Sequence, residues 1–305
     1  MTVPTHAHGD EMPILDPPQR VSGMRVPEAA SWVPTGKPEG LAATSEDAWR
    51  QTGFVLGGDL RLIEAGMRLQ LQLVGSGYTP AARTMTMAAF ASLWSRAFSC
   101  LDDAVALTRR GAYQSALPLV RQAVEHIAAQ AQLGEELDAF KVWAHRAYAR
   151  HPEARAEEVG LGHYFGGEAI AVDEQLRVIY RAASDLGRPN FGPTALFVAN
   201  EASHERYPLI FADSAFHFGW AQLLLGWVLR CGTKQLHIAM HTRQQFPATQ
   251  PVRDEVVAHV AAVDAALADE ARCRIEEYVD DEGRRRHLIV QFRRQPSDAT
   301  KRLLL

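Results

Sequence analysis

Apolar residues recur along most of the chain at alternating steps of three and four, the repeat that places side chains on one face of an α-helix. The clearest run is Met87, Phe90, Trp94, Ala97, Leu101 and Ala104. It is opened by Thr79 as N-cap with Pro80 at the first helical position, and Gly111 breaks it. The rhythm resumes from Ala112 to Leu133 through Ala116, Val120, Ala123, Ile127 and Ala131, and Gly134 closes it. Two helices joined by a tight corner are expected, each burying its stripe against the other and against neighbours.

The same reading places a helix from an Asp59 cap to about Val74, ended by Gly75-Ser-Gly. Another carries Phe140, Trp143 and Tyr148 between Glu135 and His151, before Pro152. Glu168 to Leu186 is helical up to Gly187-Arg-Pro-Asn, and Pro193 begins a short helix to Asn200. After Pro208 comes a helix through Cys231 that is apolar on all faces and is expected to run through the middle of the bundle, with further turns to about His241. Beyond Pro247 and Pro251, Val256, Val260, Val263 and Leu267 keep the rhythm, giving a helix over Val252 to Glu270.

Two ends depart from this pattern. Residues 1–40 hold seven of the 16 prolines, at 4, 13, 17, 18, 27, 34 and 38, so an extended or disordered arm is expected over 1–44, pinned by Trp32. The tail alternates apolar and charged residues over Arg274 to Val279 and Arg284 to Phe292 around Asp280-Asp-Glu-Gly, which suits a small β-hairpin; a helix continuing to Val279 is the competing reading. The expected fold is therefore mainly α: an arm over 1–44, a helical bundle over 45–245, and a C-terminal helix, hairpin and basic tail over 252–305.

Composition narrows the function classes. A formal net charge of −4 over 305 residues excludes a protein that coats nucleic acid by bulk positive charge, so any RNA contact must be local. Cys100, Cys231 and Cys273 are odd in number and widely spaced, which suggests neither a disulfide framework nor a zinc knuckle and fits a reducing cytoplasm. No basic start followed by an apolar run suggests export. The long apolar stretch Ser214 to Leu229 is interrupted by His217 and Gln222 and falls short of the roughly 20 residues a bilayer needs, so no membrane partner is expected.

The residues that can carry chemistry centre on Arg121-Gln-Ala-Val-Glu125-His126. Arg121 and Glu125 are four apart and can pair on one helical face, whereas His126 lies about 140° from Arg121 around the axis. Arginine and histidine from two subunits could combine across a twofold axis. Histidine can move the 2′-hydroxyl proton of RNA and arginine can neutralise the phosphate, chemistry that asks for neither a metal nor a cofactor. Tyr180, Ser184 and Arg188 share one face at i, i+4 and i+8 and can line a pocket facing the Arg121 helix, with His145 as a further polar group. The bland alternative is an Arg121–Glu125 ion pair that fixes helix register.

The stretch from Ala104 through Arg121 to His126 resembles HEPN-like helical proteins. Arg121 and His126 match the arginine and histidine of that family's R-x(4-6)-H signature. The stretch is most similar to a bacterial branch whose helix reads arginine and then glutamate four later. In that branch a second helix carries tyrosine, serine and histidine at intervals of four; here Tyr180 and Ser184 match, but Arg188 takes the third place. Gln122 stands where catalytic members often have Asn, Asp or His. The resemblance covers roughly residues 80 to 230. It implies an all-α bundle, a homodimer, RNA as substrate, and a place in toxin–antitoxin or phage-defence systems with a cognate inhibitor protein.

Two function classes follow: a metal-independent RNA endonuclease with Arg121 and His126 as catalytic residues, or a non-catalytic interaction protein. Other motifs are thinner. His237 and His241 have the spacing of a metal pair without an identifiable third ligand, and Glu201-Ala-Ser-His204 lacks the companions a di-iron bundle needs. The seven basic residues Arg284, Arg285, Arg286, Arg293, Arg294, Lys301 and Arg302 face a single acid, Asp298, over the last stretch, which suits RNA, an acidic partner or solvent.

Overall fold

A computed structural model describes residues 23–77, 85–135, 170, 172–189, 191–199, 205–241 and 246–305. The expected Thr79 cap, the Glu135–His151 helix with His145, and Glu201 and His204 fall outside them. Among the described residues the fold is mainly α, eight helices and one small sheet: α1 (Ala43–Val55), α2 (Gly57–Gly77), α3 (Met85–Arg109), α4 (Tyr113–Glu135), α5 (Glu174–Gly187), α6 (Phe191–Val198), α7 (Phe218–His241), α8 (Gln250–Leu267), then β1 (Arg274–Val279), β2 (Arg285–Phe292) and β3 (Lys301–Leu304).

The all-round apolar helix is the axis of the bundle. α7 packs on α2, α3, α4 and α8, and residues on every side of it are buried, including Trp220, Leu224, Cys231 and Leu236. It runs unbroken to His241 but starts only at Phe218, because residues 205–217 form a connecting segment after Pro208. α3 and α4 form the expected hairpin around Gly111. That residue has φ +77°, and a Cβ there would sit 2.0 Å from the Ser214 carbonyl oxygen, so the corner requires glycine on both counts.

One expected boundary is wrong for a physical reason. Asp59 does not cap α2, which begins at Gly57; its carboxylate accepts from Arg272 Nη1 at 3.0 Å and Nη2 at 2.5 Å, in a buried bidentate pair. The described part of the helix runs through Gly75-Ser-Gly to Gly77, three residues past Val74, where the missing Cβ makes room for the buried Phe246 ring. The arm residues 23–42 contain no helix or strand, and Trp32 packs edge-on to Phe98 of α3 at 5.5 Å.

The tail settles as the hairpin, with a strand that the alternation did not announce. β1, β2 and β3 form an antiparallel sheet in that order, and the register places Glu277 opposite His287. A bulge at Gln291, φ +56°, turns the end of β2 towards the bundle. There the Arg294 and Arg293 carbonyls accept from the first amides of α7, Phe218 N at 2.8 Å and Gly219 N at 2.9 Å. The two residues that follow β2 thus supply the partners that a helix N-terminus lacks within itself.

Candidate functional site

α5 is strongly amphipathic. Leu176, Ile179, Ala182, Ala183 and Leu186 are buried, and Asp173 caps the helix by accepting from Leu176 N at 2.9 Å. Packing that stripe against α4 turns Tyr180, Arg181, Ser184, Asp185 and Arg188 towards Arg121, Gln122 and Glu125, while β2 contributes Arg285 and His287. Together these side chains line a groove of about 660 Å³.

Arg121 is exposed on the groove wall. Its Nη2 donates to Tyr180 Oη at 3.1 Å, its guanidinium carbon lies 5.0 Å from the centre of the Tyr180 ring, and Glu125 Oε1 is 3.4 Å away. Ser184 Oγ donates to the Tyr180 carbonyl at 2.7 Å, which leaves its oxygen free to accept but not its hydrogen to give. Arg188 Nη1 is 3.6 Å from Asp185 Oδ1. The structure therefore brings Arg121, Glu125, Tyr180, Ser184 and Arg188 around one space. Four guanidinium groups against two carboxylates make the lining cationic, and neither Arg181 nor Arg285 is in an ion pair with another described residue.

His126 is not brought to this groove. It is 9% exposed, on the side of α4 turned to α3, and its Nε2 is buried with no hydrogen-bond partner among the described residues. Burial, aided by the nearby Arg96 charge, pushes its pKa down to about 4. The imidazole at the groove is His287, 5% exposed. Its Nε2 donates to Glu277 Oε1 at 3.2 Å, and its Nδ1 lies 3.7 Å from Asp185 Oδ2, beyond a hydrogen bond.

Glu277 is in turn held by Arg177 Nη2 at 3.1 Å. Burial works against ionisation of Glu277, but the bonds from Arg177 and His287 prevail and keep its carboxyl below the ordinary range. A carboxylate thus holds one ring nitrogen while Nδ1 lies towards Asp185, which lines the groove, the arrangement that orients a proton-transfer histidine.

Arg181, Arg285 and His287 went unmarked in the sequence. The only signal for His287 is the hairpin register itself: once Glu277 faces it, the histidine shares the sheet face that meets α5. His237 and His241 stack at 4.3 Å with His241 Nδ1 3.1 Å from the His237 carbonyl, and among the described residues no three His, Cys, Asp or Glu side chains gather as metal ligands. No described helix is long and apolar enough to cross a membrane. No family model, curated protein or solved structure matches the chain.

Proposed function

We propose that the groove between α4, α5 and β2 binds the phosphodiester backbone of RNA and that the protein is a metal-independent endoribonuclease. The observation that carries this reading is the convergence of four arginines on a groove that also contains a carboxylate-oriented histidine. Arg121 contacts the phosphate from the Tyr180 side, where Tyr180 Oη and Glu125 hold its guanidinium in place. His287 Nδ1 takes the proton of the 2′-hydroxyl as that oxygen attacks phosphorus. The bond from phosphorus to the 5′ oxygen breaks, this oxygen takes a proton from a water molecule, and the resulting hydroxide takes the proton from His287, leaving a 2′,3′-cyclic phosphate, a free 5′-hydroxyl and the neutral imidazole. The donor set supports chemistry without a divalent ion, since the groove's two carboxylates, Glu125 and Asp185, each lie beside an arginine.

With this assignment one chain carries both groups, and no twofold axis is needed to bring a histidine to Arg121. His126, neutral and enclosed, serves packing. The test is incubation of the purified protein with single-stranded RNA in EDTA beside Arg121→Ala, His287→Ala and His126→Leu. Cleavage by wild type and His126→Leu, lost in the other two, is expected. Loss in His126→Leu with His287→Ala active would return the proton transfer to His126. A second reading, a non-catalytic interaction protein, draws on the Arg121–Glu125–Tyr180 contacts, which would fix α4 against α5 with no substrate. Intact RNA in every lane, from folded proteins, favours it.

A further inference from the structure

Independently of that groove, a second cavity of about 160 Å³ opens beside the N-terminus of α7, between the end of α6 and strands β2 and β3. His217 lines it and is only 4% exposed. Its Nδ1 accepts from Trp220 N at 3.3 Å, which caps the helix and fixes the tautomer. The ring proton therefore sits on Nε2, which has no hydrogen-bond partner among the described residues. Burial, with the Arg294 and Lys301 charges nearby, pushes the His217 pKa down to about 3, so the ring stays neutral.

Arg294 and Lys301 also line the cavity, and Lys301 forms no ion pair with a described carboxylate. The one acid there, Asp298, is engaged by Gln295 N at 2.8 Å. Leu196, Phe292 and Leu303 supply an apolar wall. Donors and positive charge on one side with hydrocarbon on the other suit an anion with a short apolar chain. The volume equals that of about five water molecules, room for roughly six to eight non-hydrogen atoms.

We propose that this cavity is a binding site for a small aliphatic carboxylate, its oxygens held by His217 Nε2–H and the Lys301 ammonium and its chain against Phe292 and Leu303. The ligand would join the residue preceding α7 to β3.

The test is titration of the full chain, labelled with ¹⁵N-histidine, with sodium butyrate, reading the His217 ring nitrogens by NMR. A saturable shift is expected, with a dissociation constant on the order of 1–10 mM for so small a ligand. Acetate should bind more weakly for want of chain, and butylamine should leave the ring unmoved. Lys301→Glu, exposed on β3 and away from the core, should weaken butyrate at least about tenfold, by removing and reversing one charge. No saturable shift with butyrate, a response to butylamine equal to butyrate, or a Lys301→Glu titration like wild type would overturn the site. Tighter saturation by inorganic phosphate than by butyrate would overturn the carboxylate assignment.

Discussion

Removing one member of the Asp59–Arg272 pair tests how the sheet is held to the bundle. Arg272 is buried, and its guanidinium gives two bonds to Asp59 and a third, from Nη2 at 3.1 Å, to the Gln222 carbonyl of α7. The group packs closely on Gly226, where a Cβ would lie 3.3 Å from its Nε. In Asp59→Ala the guanidinium loses its counter-ion while the surrounding packing still encloses it. A buried charge stripped of its partner costs about 3–5 kcal/mol, whereas replacing both charges by apolar side chains of similar volume is often close to neutral. Asp59→Ala should therefore destabilise by about 3–5 kcal/mol, and Asp59→Leu with Arg272→Met by well under half of that. Equilibrium urea unfolding followed by tryptophan fluorescence measures each. A loss below about 1 kcal/mol in Asp59→Ala, or a double variant as unstable as the single one, would refute this account of the pair.

His126 gives a pH prediction. Its folded pKa, about 4, lies below the ordinary 6.5, so the unfolded chain binds the proton more readily and stability falls as pH drops from about 6.5 towards 4. His126→Leu should flatten that fall by about one proton, near 1.4 kcal/mol per pH unit, in urea midpoints compared at pH 7 and 5; an equal fall in both proteins would count against a buried neutral imidazole. Gly111→Ala should destabilise by at least about 2 kcal/mol in the same assay, through its positive φ and the Ser214 carbonyl. A variant as stable as wild type would contradict the close approach. Arg121→Ala should move stability by less than about 1 kcal/mol, its pair with Glu125 being partly exposed, yet weaken RNA binding severalfold in a filter assay at low salt. A melting collapse would instead make the residue structural.

What was legible in the sequence had a local cause. The three-four rhythm of α3 and α4, the glycine corner between them, and the apolar perimeter of α7 are all set by residues within a turn or two of each other. The hairpin was legible because Asp280-Asp-Glu-Gly is a turn signal and the acids and arginines on either side alternate. Tyr180 and Ser184 could be placed on one face by spacing alone, and α4 and α5 do meet there. The illegible parts depend on partners far along the chain. Asp59 looked like a cap because its partner is Arg272, 213 residues later. β3 gave no alternation, being only four residues of which two are basic. His287 had no helical neighbours to mark it, and only the cross-strand register with Glu277 and the docking of β1 on α5 bring it to the groove.

The segment after β2 that closes off the start of α7 also sets a clock on synthesis. Phe218 and Gly219 emerge from the ribosome about 75 residues before Arg293 and Arg294, whose carbonyls they need. At about 5–20 residues per second that interval lasts roughly 4–15 seconds. Throughout it the long apolar helix at the axis of the bundle has an unfinished end and no hairpin over it, so a chaperone that shields nascent apolar segments has a defined window in which to act, and slowing translation after residue 241 should lengthen it.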